Sequence, residues 1–81
     1  MTETNVKKAG FEFEKEYEHD QFYTRRYKKG VMQVEFTYLS ERSTLENVYL
    51  TIDEVVAETV DYKELLMLDM ILNKEVAEIR K

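Results

Sequence analysis

Cysteine, proline and tryptophan are absent from these 81 residues, and glycine occurs only twice, at Gly10 and Gly30. Without cysteine neither a disulfide nor a thiolate-bound zinc can staple the fold, so a hydrophobic core or a partner has to stabilise it. Two glycines are too few for a phosphate-cradling Gly-rich loop. No apolar run approaches the roughly 20 residues needed to span a bilayer. Met1 to Gly10 is polar, with Lys7 and Lys8 and no apolar segment behind them, which is unlike a secretory leader. The expectation is a cytoplasmic chain with no membrane partner.

What is present is one domain's worth of sequence, 43% apolar and 36% charged, with a net charge of −5. That balance is too apolar for disorder, and a chain of this size buries about 60–65% of its unfolded surface. The acidic total disfavours general attraction to nucleic acid or anionic membranes. Residues 21–40 run against it at +3, with Arg25, Arg26, Lys28 and Lys29 set against Glu35 alone.

Residues 1–10 are read as a flexible lead into a single α+β domain over 11–81. From Phe11 the pattern alternates, with Phe11, Phe13 and Tyr17 on one side and Glu12, Glu14, Glu16 and Glu18 on the other, as in a half-buried strand. Phe22 to Lys28 forms a second strand, Val31 to Leu39 a third and Leu45 to Ile52 a fourth. Met32, Val34, Phe36 and Tyr38 point inward, as do Val48, Leu50 and Ile52. Short connections imply an antiparallel meander. The turn at Lys28-Lys29-Gly30 admits two registers. A two-residue loop of Lys29-Gly30 puts Arg25, flanked by Tyr23 and Tyr27, on the face of Met32, Val34 and Phe36. A three-residue loop with Gly30 last puts Phe22, Thr24 and Arg26 there instead, and is preferred because Gly30 then takes the left-handed position. Asp53 to Thr59 is ambiguous, since Ala57 and the glutamates favour a helical turn while Val55 and Val56 do not.

Asp61, with Glu64 three residues on, predicts an N-cap, and Val60 with Leu65 a hydrophobic staple, opening a helix from about Tyr62 to Arg80. Leu65, Leu68, Leu72, Val76 and Ile79 recur at three- and four-residue steps, a stripe suited to the sheet. The fold expected is therefore a four-stranded antiparallel meander followed by one long C-terminal helix packed on one face.

No catalytic, metal or cofactor signature is found. His19 beside Asp20, near Glu16 and Glu18, reads as a turn histidine, because alternation holds those glutamates away from the turn. Ser40 and Ser43 have no base and no G-x-S-x-G turn. Tyr23, Arg25, Arg26, Tyr27, Lys28 and Lys29 interleave cations with aromatics as nucleic-acid binding requires. The plainer reading is a strand whose cations face the glutamates of the first, Glu14 opposite Arg25 and Glu16 opposite Tyr23. The acidic row from Glu12 to Asp20 admits a third reading, an inhibitor that imitates a phosphate backbone.

The sharper feature is Leu65 to Leu72, seven large apolar residues in eight. At 100° per residue Leu66 and Met70 lie about 100° or more from the centre of the stripe, and Met67 almost opposite it. One sheet cannot cover both flanks, so Leu66, Met67, Met70 and Ile71 are expected to form a protein interface, most economically in a two-fold homodimer. Asp69, close to the stripe's centre, calls for a partner such as Lys63 or Arg80 of a neighbouring element, or marks an interface edge. The functional expectation is a non-enzymatic adaptor, inhibitor or regulatory subunit.

Overall fold

A computed structural model of the chain describes residues 1–53, 55–57 and 61–79, with side chains for all of these except 57 and 74–79. Its elements are α1 (Glu3–Lys8), β1 (Glu12–Glu18), β2 (Phe22–Lys29), β3 (Met32–Leu39), β4 (Thr44–Ile52), β5 (Val55–Ala57) and α2 (Tyr62–Ile79). The strands form one antiparallel sheet in chain order. The α+β class and the meander are as expected, but the described residues hold five strands rather than four. The extra one lies in the ambiguous segment, where Val55 pairs with Ile52 and Val56 with Thr51 beyond a turn at Asp53, whose φ is +49°. β-Branching prevails there over the helical preference of its neighbours.

The register of the central hairpin corrects the preferred reading. Lys29 pairs with Met32, so the loop is Gly30-Val31, with Gly30 at φ +58° in first place as a type II′ connection requires. Tyr23, Arg25 and Tyr27 therefore share a face with Met32, Val34 and Phe36, while Thr24 and Arg26 take the other. A Cβ on Gly30 would lie 2.1 Å from Asn73 Oδ1, so the turn is shaped by the C-terminal helix as well as by its own residues.

In β1 the even alternation is broken. Phe13 faces Tyr27 and Lys15 faces Arg26, which leaves Glu14 as the extra residue of a bulge. A one-residue insertion reverses the facing of everything after it. Glu16 thus stands opposite Arg25 and Glu18 opposite Tyr23, whereas Lys15 and Tyr17 share a face with Arg26 and Thr24. The expected acidic row is divided between the two faces.

The core gathers on one face of the sheet, from Tyr27, Met32, Val34, Phe36 and Leu50, with Val6, Phe11 and Leu65 added from outside it. Two helices therefore supply buried side chains, where the sequence predicted one. The segment expected to be a flexible lead holds α1, and the reason is local. Thr2 Oγ1 accepts from the Asn5 N–H at 3.2 Å and Asn5 Oδ1 from the Thr2 N–H at 2.9 Å, a reciprocal cap, and Val6 then buries completely.

Candidate functional site on the C-terminal helix

α2 opens at the predicted cap, with Asp61 Oδ1 accepting from the Glu64 N–H at 2.8 Å and Glu64 Oε1 from the Asp61 N–H at 3.1 Å. Val60, the other half of the predicted staple, lies outside the described residues. The inner side of the helix then docks by two means. Leu65 is fully buried, with Leu68 and Leu72 partly buried against the same core. Beside them Asp69 accepts from Lys29 Nζ at 2.6 Å and from Asn73 Nδ2 at 2.7 Å, and Asn73 Nδ2 also reaches the Lys29 carbonyl at 3.3 Å. Among the described residues Asp69 thus pairs with Lys29 and not with Lys63, while Arg80 lies outside the described residues. The partner of Asp69 is the end of β2. Val76, Ile79 and Arg80 of the sequence reading have no described side chains.

With that side engaged, the outer side is left bare. Leu66 is 37% exposed, Met67 57%, Met70 69% and Ile71 64%. The pairs Leu66/Met70 and Met67/Ile71 are each four residues apart, so the four make one continuous apolar strip over two turns. Met70 also borders an open cleft of about 380 Å³ with Lys29, Asp69 and Asn73. A second bare apolar element is β5, an edge strand in which Val55 is 70% and Val56 64% exposed.

The basic-aromatic hairpin presents a different picture. Its alternation sends Tyr23, Arg25, Tyr27 and Lys29 to the core face and Arg26 and Lys28 to the other. Tyr27 is fully buried and Tyr23 stacks on Tyr38 at 5.1 Å. Arg25 donates to Glu3 at 2.7 Å and to Glu16 at 2.6 Å, and lies over the Phe13 ring. Arg26 pairs with Glu35 at 3.1 Å and Glu14 at 3.5 Å, and Lys28 with Glu14 at 3.7 Å. Lys29 is held by Asp69 and by the Ala9 carbonyl. Cations and glutamates do meet across the strands, but both pairs of the plainer reading shift: Glu16 rather than Glu14 stands opposite Arg25, and Glu18 rather than Glu16 opposite Tyr23. Pairs of this kind cancel most of the local positive field.

Glu3 of α1 is a residue that the sequence analysis missed. Its carboxylate accepts from Arg25 Nε at 2.7 Å, from the Tyr27 hydroxyl at 2.5 Å and from the Tyr38 hydroxyl. Burial by itself would raise the Glu3 pKa, but the donors Tyr27, Tyr38 and Arg25 together outweigh it and hold the group below the usual carboxylate range. Burial and the same carboxylate push the Tyr27 and Tyr38 phenols above their ordinary range. The hydrogen bond to Glu3 raises the Arg25 pKa further. The available signal was Thr2-x-x-Asn5 followed by Val6, a cap before an apolar residue in a segment otherwise dismissed as polar.

The His19 ring stacks on Phe22 at 4.4 Å between ring centres, and the His19 backbone N–H donates to the Phe22 carbonyl. Among the described residues no three His, Cys, Asp or Glu side chains are placed to hold a metal ion. No described helix is long and apolar enough to cross a membrane. No protein-family model, curated protein or solved structure matches the chain.

Proposed function

We propose that this chain is a protein–protein interaction module with no catalytic machinery of its own, homodimeric through α2, and that it serves as an adaptor, inhibitor or regulatory subunit. One observation carries the reading: Leu66, Met67, Met70 and Ile71 form an unbroken apolar strip on the side of α2 turned away from its own core. Leaving such a strip in water forgoes roughly 25 cal/mol per Å² of apolar surface that a partner would cover. Methionine suits an association surface because its unbranched side chain adapts to the shape opposite. A two-fold axis across the helix brings each strip against its copy, so one surface serves both subunits.

The nucleic-acid alternative uses Tyr23, Arg25, Arg26, Tyr27, Lys28 and Lys29, and it is weakened because each of those cations has an acidic partner within the chain. The acidic-mimic alternative is weakened by the bulge at Glu14.

Size-exclusion chromatography with light scattering at micromolar concentration tests the proposal. The expected mass is about twice the 9.8 kDa of one chain. Replacing Met67 and Met70 together by Asp should restore a monomer with unchanged far-ultraviolet circular dichroism. A wild-type protein that stays monomeric and soluble over the same range would remove the dimer, and loss of the circular dichroism spectrum in the double variant would return those methionines to the monomer's own core.

A further inference from the structure

We infer that α1 is a strap that opens from the sheet as a unit, hinged at Gly10 and latched by the Glu3 carboxylate, while the five-stranded sheet and α2 stay folded. Three features of its attachment lead there. A helix of six residues is far below the length at which a helix is stable in water, so α1 persists only while docked. Its removal breaks no rung of the sheet, because every strand pairs with its neighbours without it. Its polar anchorage is concentrated on one group, with Arg25, Tyr27 and Tyr38 all donating to Glu3, and the Lys29 contact to the Ala9 carbonyl lies at the hinge end.

The hinge has the conformation the motion needs. Gly10 sits at φ +93°, where a residue without Cβ moves at little cost, and a Cβ there would meet Lys29 Nζ at 3.2 Å. On opening, Val6 leaves the core, Tyr27 loses the cover of Glu3 and Lys7, and three donors that converged on one carboxylate are left to water. The apolar contact of Val6, with Met1 and Ala9 packed against the same core, and the carboxylate of Glu3 are thus the main attachments that keep the strap closed.

Native-state hydrogen exchange on the full chain reads this directly. The amides of Val6, Ala9 and Phe11, bonded to the Thr2, Asn5 and Val6 carbonyls of α1 and its cap, report the strap, and those of β3 report the sheet. In the wild-type protein the strap amides should exchange at least about tenfold faster than β3 and with a shallower dependence on denaturant, as a sub-global opening does. Glu3→Gln should speed the strap amides by a further factor of about ten, the equivalent of one charge-assisted hydrogen bond, while β3, which exchanges only from the globally unfolded state, speeds by no more than that factor, so the gap in rate and in denaturant slope between the two sets persists. Equal rates and equal denaturant slopes for the two sets in the wild type overturn the inference without recourse to any variant. So does a Glu3→Gln protein in which the strap does not respond, or in which the two sets come to exchange at one rate with one denaturant slope.

Discussion

Lys29 and Asp69 stand 40 residues apart in the chain, and their charged groups meet at 2.6 Å where the end of β2 touches the middle of α2. Asp69 is mostly buried and Lys29 about one-third exposed, so the pair is less screened than a surface bridge. Removing one member leaves the other's charge without a partner in a partly dry place. Lys29→Ala should destabilise the fold by roughly 1–3 kcal/mol, because it strands the mostly buried Asp69 carboxylate, and Asp69→Ala by less, since the Lys29 it leaves can turn to solvent. A double-mutant cycle by urea denaturation measures the coupling. A coupling near zero would mean that the leucines alone hold the helix.

Gly30 depends on the same helix. At φ +58° a side chain is strained whatever surrounds it, and here a Cβ would also displace Asn73 from its bonds to Lys29 and Asp69. Gly30→Ala is expected to cost about 1–3 kcal/mol, read from the denaturation midpoint. In an Asn73→Ala background the cost should shrink to the backbone part, because the space above the turn is then open. An unchanged penalty would place all of it in the dihedral angle.

What was legible in the chain was whatever one segment determines by itself. The inward sets Met32, Val34, Phe36 and Val48, Leu50, Ile52 follow from period two, and the cap of α2 from Asp61 and Glu64. The division of α2 into a docked side and a bare side follows from helical spacing. What escaped depends on residues distant in sequence. Arg25 looks misplaced on the core face until Glu3, 22 residues earlier, is seen to receive it. The bulge at Glu14 is invisible to an alternation count, yet it decides which glutamates face which cations. Asp69 was an anomaly in its stripe until the hairpin supplied Lys29. Electrostatic partners across elements were therefore the weak point, and the exposure of Leu66, Met67, Met70 and Ile71 was the easier inference because exposure needs no partner.

Glu3 gives the fold a dependence on acid whose sign is set by its lowered pKa. The folded-state value lies below the unfolded one, so the carboxylate's stabilisation is fully present above the unfolded pKa, near 4 to 4.5, and is lost as pH falls through the folded value. Near neutral pH Glu3→Gln should be less stable than the wild type by roughly 1–3 kcal/mol, from the loss of charge-assisted hydrogen bonds. That gap should narrow as the pH drops below about 4, where the wild-type carboxylate itself takes up a proton. Thermal denaturation of both proteins across pH 2 to 7, spanning roughly the carboxylate range, supplies the comparison. A gap that stays constant with pH would show that the glutamine disturbs packing rather than charge.

The alkaline side carries the complementary signature. Tyr38 and Tyr27 are held protonated by burial and by donation to Glu3, so their folded pKa values are raised. Stability from such groups is fully present below the unfolded phenol value, near 10, and declines as pH rises through the folded one. Ultraviolet titration of the phenolate band should accordingly show part of the signal of the six tyrosines arriving only above the ordinary phenol range, together with the onset of unfolding. In Glu3→Gln that late portion should move to lower pH, because an amide does not oppose a neighbouring phenolate as a carboxylate does. Its midpoint shift should match, in sign, the weaker alkaline dependence of stability in the variant. A titration complete within the ordinary range in the wild type, or a late portion indifferent to the substitution, would contradict the convergence of both hydroxyls on Glu3.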